Sequence, residues 1–420
     1  MTLARRDFLM AGLAFDLLGQ SAYAHGSSVT KQTVPSFSDE AYWAKISALY
    51  DVTRDVVQLE NGNYGTMARS VAKAYAGYLD RVNCLGSYYT RREFLPEYLR
   101  VRQRVAANLG VSPDEIALTR GATESLMTLI GGYNKLKPGD AVLVADHDYD
   151  STIAAFEHLQ NRHSIAVVKI TLPEPASYQG LIDAYDAALK ANPHIRLMLL
   201  THVSHRDGLV LPVKEIARLA KVRGVDVLLD SAHAWGQLDF TLPELGVDFI
   251  GLTCQKWIGA PLGVGVLYIR KDRIADIDPA LGNDGPGNGI ESRVHTGTWN
   301  FAAYMAIEDA LNVHEAIGAA AKEARLRYLR DRWAEALRDR VEVLTPADPR
   351  LTCGITSFRL TGRVSPVENK TLADELLKRF RIFTVDRSGL ASGACVRVTP
   401  AVFTTYSEID CLIGAIRTLV

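Results

Sequence analysis

Cysteine is scarce in this chain: five among 420 residues, an odd number with no CxxC pair. That excludes a disulfide framework and a zinc site of paired cysteines, and leaves Cys84, Cys254, Cys353, Cys395 and Cys411 to be read as buried free thiols. Net charge is missing too, with 47 Lys and Arg against 48 Asp and Glu for a formal −1. No basic block disturbs that balance, so no nucleic-acid surface is expected. The body of the chain has no long apolar run, because charges break every stretch, and no stable membrane span is expected in the mature protein. Internal repeats and low-complexity tracts are absent. What remains is an ordinary globular composition, 48% hydrophobic and 23% charged, long enough for two or three domains and a large core.

The N-terminus differs from the body. Ala4-Arg5-Arg6-Asp7-Phe8-Leu9-Met10 resembles a twin-arginine export signal. An apolar stretch over residues 8–18 follows, interrupted by Asp16, and Ala22-Tyr23-Ala24 makes a small-x-small cleavage site. The expectation is a signal peptide over residues 1–24, the twin-arginine export machinery as a partner, and a periplasmic protein. A polar arm and a helix near residues 37–51 then occupy residues 25–60.

From about residue 121 to 269, helical and strand periodicities alternate. Strands are predicted at 141–145, 165–170, 195–201, 225–229, 249–253 and 264–269, with helices at 151–161, 181–191 and 213–222. Such alternation implies an α/β fold with a mostly parallel sheet covered by helices on both faces. Ligands bind such sheets beyond the carboxyl ends of the strands. Asp146, Thr201, Asp230 and Lys256 all fall at or just after such ends. Beyond residue 300 the pattern changes to a charged amphipathic helical region over 301–340. Strands near 341–344, 354–360 and 395–398 and helices near 370–379 and 407–419 follow, the mark of a smaller α+β domain.

Lys256 and Asp230 are the most informative pair. A carboxylate at one strand end and an amine just past the next is what pyridoxal phosphate (PLP) chemistry needs. The amine forms a Schiff base with the cofactor aldehyde, and the carboxylate keeps the ring nitrogen protonated. Taken singly, Lys256 could be a surface lysine and Asp230 a helix cap. Gly121-Ala122-Thr123 follows a predicted strand at 116–119 and opens an apolar helix. Its amides and the Thr123 hydroxyl can cradle a phosphate, although Thr123 could also be a simple cap.

With these motifs (LENGNYG near Leu59, GATE at Gly121, SAH after Asp230, TCQKW at Lys256, HTGTWN and CVRVTP), the chain resembles fold-type-I PLP enzymes of the class V aminotransferase family, nearest in pattern to the isopenicillin N epimerase-like branch. The resemblance implies a three-layer αβα large domain of the aspartate aminotransferase-like type over residues 61–300, and a small domain over 301–420. It implies Lys256, Asp230 and His233 as catalytic residues, with His233 beside the cofactor ring and its O3′ oxygen, or else a structural histidine. Gly121, Ala122, Thr123, Thr253 and Gln255 would hold the phosphate, and Tyr149 would stack on the ring. Gln255 stands where the family commonly has His, and His205 where it often has Asn. His202 would face the cofactor from the same strand end.

Further roles follow from the same resemblance. Thr298 would reach the phosphate of a neighbouring subunit, which implies a homodimer with a shared active site. Arg397 would bind the substrate α-carboxylate as a planar fork, with Asn63 and Tyr64 as further substrate contacts. Arg91 and Arg92 could meet a distal carboxylate or simply be solvated.

The activity implied is an aminotransferase or epimerase-type reaction at the Cα of an amino acid, or of a peptide- or siderophore-like molecule that contains one. A desulfurase would need a cysteine on the loop at residues 386–393, which has none, while a C–S lyase that needs no cysteine stays open. A dehydrogenase lacks its GxGxxG fingerprint after a strand. A non-catalytic binding protein would not be expected to keep Lys256, Asp230 and Arg397 together.

Overall fold

The computed structural model describes residues 36–283, 287–294 and 297–420, without the side chain of residue 163. The twin-arginine motif and cleavage site therefore lie outside the described residues, as do residues 25–35 of the arm. Residues Phe37–Val420 form one compact unit.

Its centre is a seven-stranded sheet in the order Ile116–Thr119, Gly265–Ile269, Phe249–Thr253, Asp226–Asp230, Ile195–Thr201, Ala141–Ala145, Ala166–Ile170. All neighbours pair in parallel except around Gly265–Ile269, which is antiparallel to both of its neighbours. Strands Ala141–Ala145, Phe249–Thr253 and Gly265–Ile269 are buried along their whole length. Burial on both faces is why they read in the sequence as unbroken apolar runs rather than as an alternation.

Helices Asp150–His163, Tyr178–Ala191 and Val213–Val222 connect the parallel strands. The last of these buries Val213, Ile216, Ala217 and Ala220, an i, i+3, i+4, i+7 stripe. A four-stranded antiparallel sheet follows in the order Val385–Arg387, Cys395–Val398, Thr356–Arg359, Glu342–Val343.

Two features depart from the sequence expectation. The helical region over 301–340 is two helices, Phe301–Ile317 and Ala319–Ala336, broken at Gly318, whose φ of 91° ends one helix and starts the next. The early segment also pairs far along the chain: Val57–Gln58 lies parallel to Ile382–Phe383, and Glu60 bridges Thr399. This pairing carries residues 60–65 over the carboxyl ends of the large sheet. Among the described residues, no helix is long and apolar enough to cross a membrane, and no His/Cys/Asp/Glu cluster could hold a metal ion.

Candidate active site

A cavity of about 770 Å³ opens at the carboxyl ends of the parallel strands. Lys256 lies just past strand Phe249–Thr253, and Asp230 ends the adjoining strand Asp226–Asp230. The Lys256 Nζ is 2.9 Å from His233 Nε2. Burial pushes the Lys256 amine down to about 8, with Asp230 opposing the shift. A lysine so placed is still mostly protonated near neutral pH, but its neutral, nucleophilic fraction is far larger than that of an ordinary lysine. His233 is held well below its ordinary range by burial and by the Lys256 charge, so it is neutral. Asp230 accepts the Ala232 N–H at 3.0 Å. Burial raises its carboxyl, and a cation facing it would draw it back down.

The other wall is the start of helix Ala122–Gly132. Gly121 precedes it, and no side chain caps its first amides. Glu124, which would repel an anion there, is held by Arg120 through both carboxylate oxygens, at 2.7 and 3.2 Å. The Gln255 amide oxygen accepts the Gly263 N–H at 2.6 Å, which leaves its NH2 end to donate. The segment carrying Asn63 packs directly on the lysine loop, with the Gly65 N–H donating to the Gln255 carbonyl at 2.7 Å. A Cβ at Gly65 would sit 1.9 Å from the Lys256 carbonyl oxygen, so only glycine permits this approach.

The structure gathers most of the sequence-selected residues into this cavity: Gly121, Ala122, Thr123, Tyr149, His205, Asp230, His233, Thr253, Gln255, Lys256, Arg397 and Asn63 line it. Tyr149 is 43% exposed and meets the His205 ring edge-on, with centroids 5.1 Å apart. Tyr64 is half exposed and lies outside the lining. Thr298 is exposed and does not line this chain's cavity, while its neighbour Asn300 caps helix Phe301–Ile317.

His202 also lies outside the cavity. It is buried against Ser231 Oγ at 3.0 Å and the Phe240 ring, and burial pushes it down to about 4, so it packs rather than faces the site. Arg91 and Arg92 are exposed on helix Ser87–Arg92, away from the cavity.

Sequence reasoning missed Glu60, Arg206, Asp386 and Arg387. Glu60 accepts both of its hydrogen bonds from Arg397, and Arg206, Asp386 and Arg387 line the cavity wall. Glu60 was visible inside LENGNYG, and Arg387 inside the DRSG segment, where only a cysteine was sought. A larger groove of about 1030 Å³ along helix Ala319–Ala336 holds none of these groups.

The residues present fit PLP. An uncapped helix start suits its phosphate, and a buried carboxylate suits a protonated ring nitrogen. The buried Nδ1 of His233 has no partner among the described residues and is available to a bound ring.

The sequence model of the aminotransferase class-V family matches residues 66–385. Isopenicillin N epimerase of Streptomyces clavuligerus is 28% identical over 387 residues, covering 87% of this chain and 95% of that protein. A probable cysteine desulfurase of Pyrococcus abyssi is 24% identical, covering 88% and 95%. A solved structure of a C-DES mutant, with glycine covalently linked to its PLP cofactor, superposes with a TM-score of 0.73 at 22% identity, covering 86% and 96%. That likeness establishes the fold.

Proposed function

This chain belongs to the aminotransferase class-V family, and on that premise we propose that it is a PLP-dependent enzyme acting at the Cα of an amino acid, or of a peptide- or siderophore-like molecule containing one, in an aminotransferase or epimerase-type reaction. One observation carries the reading: a half-buried amine whose pKa is pushed down to about 8 sits 2.9 Å from a buried, neutral histidine, in a cavity lined also by a buried carboxylate and an uncapped helix start.

Lys256 would hold the cofactor through its amine. Asp230 would hold the ring nitrogen, the amides of Ala122 and Thr123 with the Thr123 hydroxyl would hold the phosphate, and Tyr149 would cover the ring. When bound, the cofactor draws electrons from the bonds at the substrate Cα. Lys256 then acts as the base and acid at that carbon, because its lowered pKa lets it both take and return a proton near neutral pH. His233 orients the lysine amine. The arginine-rich side of the cavity receives the substrate carboxylate.

A C–S lyase is the second reading, in keeping with the desulfurase name of one relative. A cysteine-dependent desulfurase is not supported, because no cysteine lines the described cavity. Cys395 is buried within strand Cys395–Val398, and burial pushes its thiol up to about 12. The leader supports export of the loaded enzyme to the periplasm, and exposed Thr298 supports a homodimer in which it serves a second copy's site.

The test is an absorbance spectrum of the purified protein beside Lys256→Ala, after loading with PLP and then with amino acids in heavy water. A visible band in the wild type, lost in the variant, supports the cofactor and lysine roles. Conversion to the amine form of the cofactor would indicate transamination, and Cα–H exchange without conversion would indicate epimerisation. A loaded wild type with no such band would refute the reading.

A further inference from the structure

The backbone beside Lys256 is pinned by a buried amine that lies outside the cavity. Within the lysine loop, the Cys254 carbonyl accepts the Ala260 N–H at 3.1 Å, and the Gln255 carbonyl accepts the Gly65 N–H at 2.7 Å. The Trp257 carbonyl is held differently, by the Lys322 Nζ at 2.7 Å. Lys322 belongs to helix Ala319–Ala336, is 4% exposed and does not line the cavity. A buried amine without a carboxylate partner costs stability, and Lys322 has no such partner among the described residues. Its other contact is His314 Nδ1 at 3.1 Å, on helix Phe301–Ile317. Burial and the Lys322 charge hold that imidazole neutral. The charged neighbours on the lysine's own helix are engaged elsewhere, Glu323 with Arg327 and the Asp239 N–H, and Arg325 with Glu40.

The carbonyl that Lys322 holds stands where the lysine loop meets the turn carrying His233. That turn passes so close that a Cβ at Gly236 would come within 2.7 Å of the Trp257 carbonyl carbon. Gln237 holds the same turn, donating its Nε2 to the His233 carbonyl at 2.6 Å while its Oε1 accepts the Gly354 N–H at 2.9 Å. Trp257, Ala234, Ile317 and Ala321 belong to one apolar cluster at this meeting point. The 2.9 Å approach of Lys256 Nζ to His233 Nε2 thus has a backbone anchor on each side, Gln237 for the histidine and Lys322 for the lysine.

Resting on the function proposed above, we propose that Lys322 is a positioning residue for Lys256: by donating to the Trp257 carbonyl it fixes the backbone beside the reactive amine and keeps that amine in register with His233. It lines no part of the cavity, so it acts through the loop alone. Loss of the donor strands a buried carbonyl and lets the loop shift, which a reacting amine tolerates poorly.

The test compares Lys322→Met, which keeps the apolar stem and removes the donor, with His314→Phe, which removes the amine's other partner and leaves the Trp257 contact. Urea unfolding at one pH reports how far each is destabilised. In the PLP-loaded proteins, the pH at which the visible band is half converted should move by about half a pH unit or more in Lys322→Met, and by less than about 0.2 in His314→Phe. Lys322→Gln keeps a donor on a shorter stem, should fold even where Met does not, and should move the midpoint the same way but less. In the cofactor-free proteins, amide hydrogen exchange of the peptide covering residues 254–262 should rise by about fivefold in Lys322→Met, with strand Asp226–Asp230 unchanged.

An unmoved midpoint in both Lys322 variants, whatever their loss of stability, would mark a purely structural lysine and overturn the proposal. So would an equal shift in His314→Phe. If the wild type forms no lysine-dependent band, the PLP reading fails, and the exchange of peptide 254–262 alone decides whether Lys322 anchors the loop; unchanged exchange there overturns the anchor.

Discussion

Replacing Lys322 by Met should flatten the pH dependence of the protein's stability between pH 7 and pH 10. Lys322 is 4% exposed, in the region of the apolar cluster that holds Trp257, Ile317 and Ala321. Its Nζ donates to the Trp257 carbonyl at 2.7 Å and lies 3.1 Å from His314 Nδ1, and no carboxylate pairs with it among the described residues. Burial pushes its amine down from 10.5 to about 7, and it pushes His314 down to about 2.

The unfolded lysine takes up a proton below about 10.5, but the folded one does so only near 7. Between those values the unfolded state binds more protons, so stability falls as pH falls and recovers as pH rises; above 10.5 both states are neutral and the penalty is gone. At about 1.4 kcal/mol per pH unit, less at the two ends where one state is part protonated, the change from pH 7 to pH 10 comes to ~3 kcal/mol. The carbonyl and imidazole left unpaired by Met cost about 1–3 kcal/mol each. Neither titrates in the window, so both costs drop out of the pH difference. Urea unfolding of wild type and variant at pH 7, 8.5 and 10 measures it. Stability curves that run parallel in the two proteins would refute the burial argument. The result bears on the site, because this amine fixes the carbonyl of the residue next to Lys256.

Two further substitutions probe the site directly. Gly65→Ala places a Cβ 1.9 Å from the Lys256 carbonyl oxygen. It should destabilise the protein by about 2–3 kcal/mol and weaken cofactor retention, read by unfolding and by the visible band after dialysis; an unaltered protein would contradict the close approach. Cys395→Ala, at a fully buried thiol, should lower stability by about 1–2 kcal/mol and leave turnover per loaded subunit within about twofold. Complete loss of activity with the fold intact would instead point to cysteine-based sulfur chemistry.

Strands at 141–145, 195–201, 249–253 and 395–398 were legible end to end, because each is a mostly apolar run, interrupted only by Arg196 in the second and Arg397 in the last, and is buried along nearly its whole length. The helices Arg69–Leu85, Ser87–Arg92 and Phe94–Leu109 were not anticipated. Helix Arg69–Leu85 packs a stripe at i, i+4, i+7, i+11 (Val71, Tyr75, Tyr78, Val82) on the core, but only Val71 of it is fully buried and two of its members are tyrosines, so its hydropathy signal is weak. Lys256, Asp230 and the Gly121–Thr123 turn could be selected because each sits at the end of a readable strand. Glu60 and Arg387 could not, because their meeting depends on the two-residue pairing of Val57–Gln58 with Ile382–Phe383, a contact between distant segments with no local periodicity. Arg397 was legible as an arginine on a strand, but its engagement by Glu60 is tertiary information.

The central claim is that Lys256 carries the cofactor. Borohydride reduction of the PLP-loaded protein, followed by digestion and mass analysis of every lysine-containing peptide, tests it most directly. The account predicts the reduced cofactor on the peptide that contains Lys256, and on none from Lys256→Ala. Attachment at another lysine such as Lys322, or no stable attachment after loading, would contradict it.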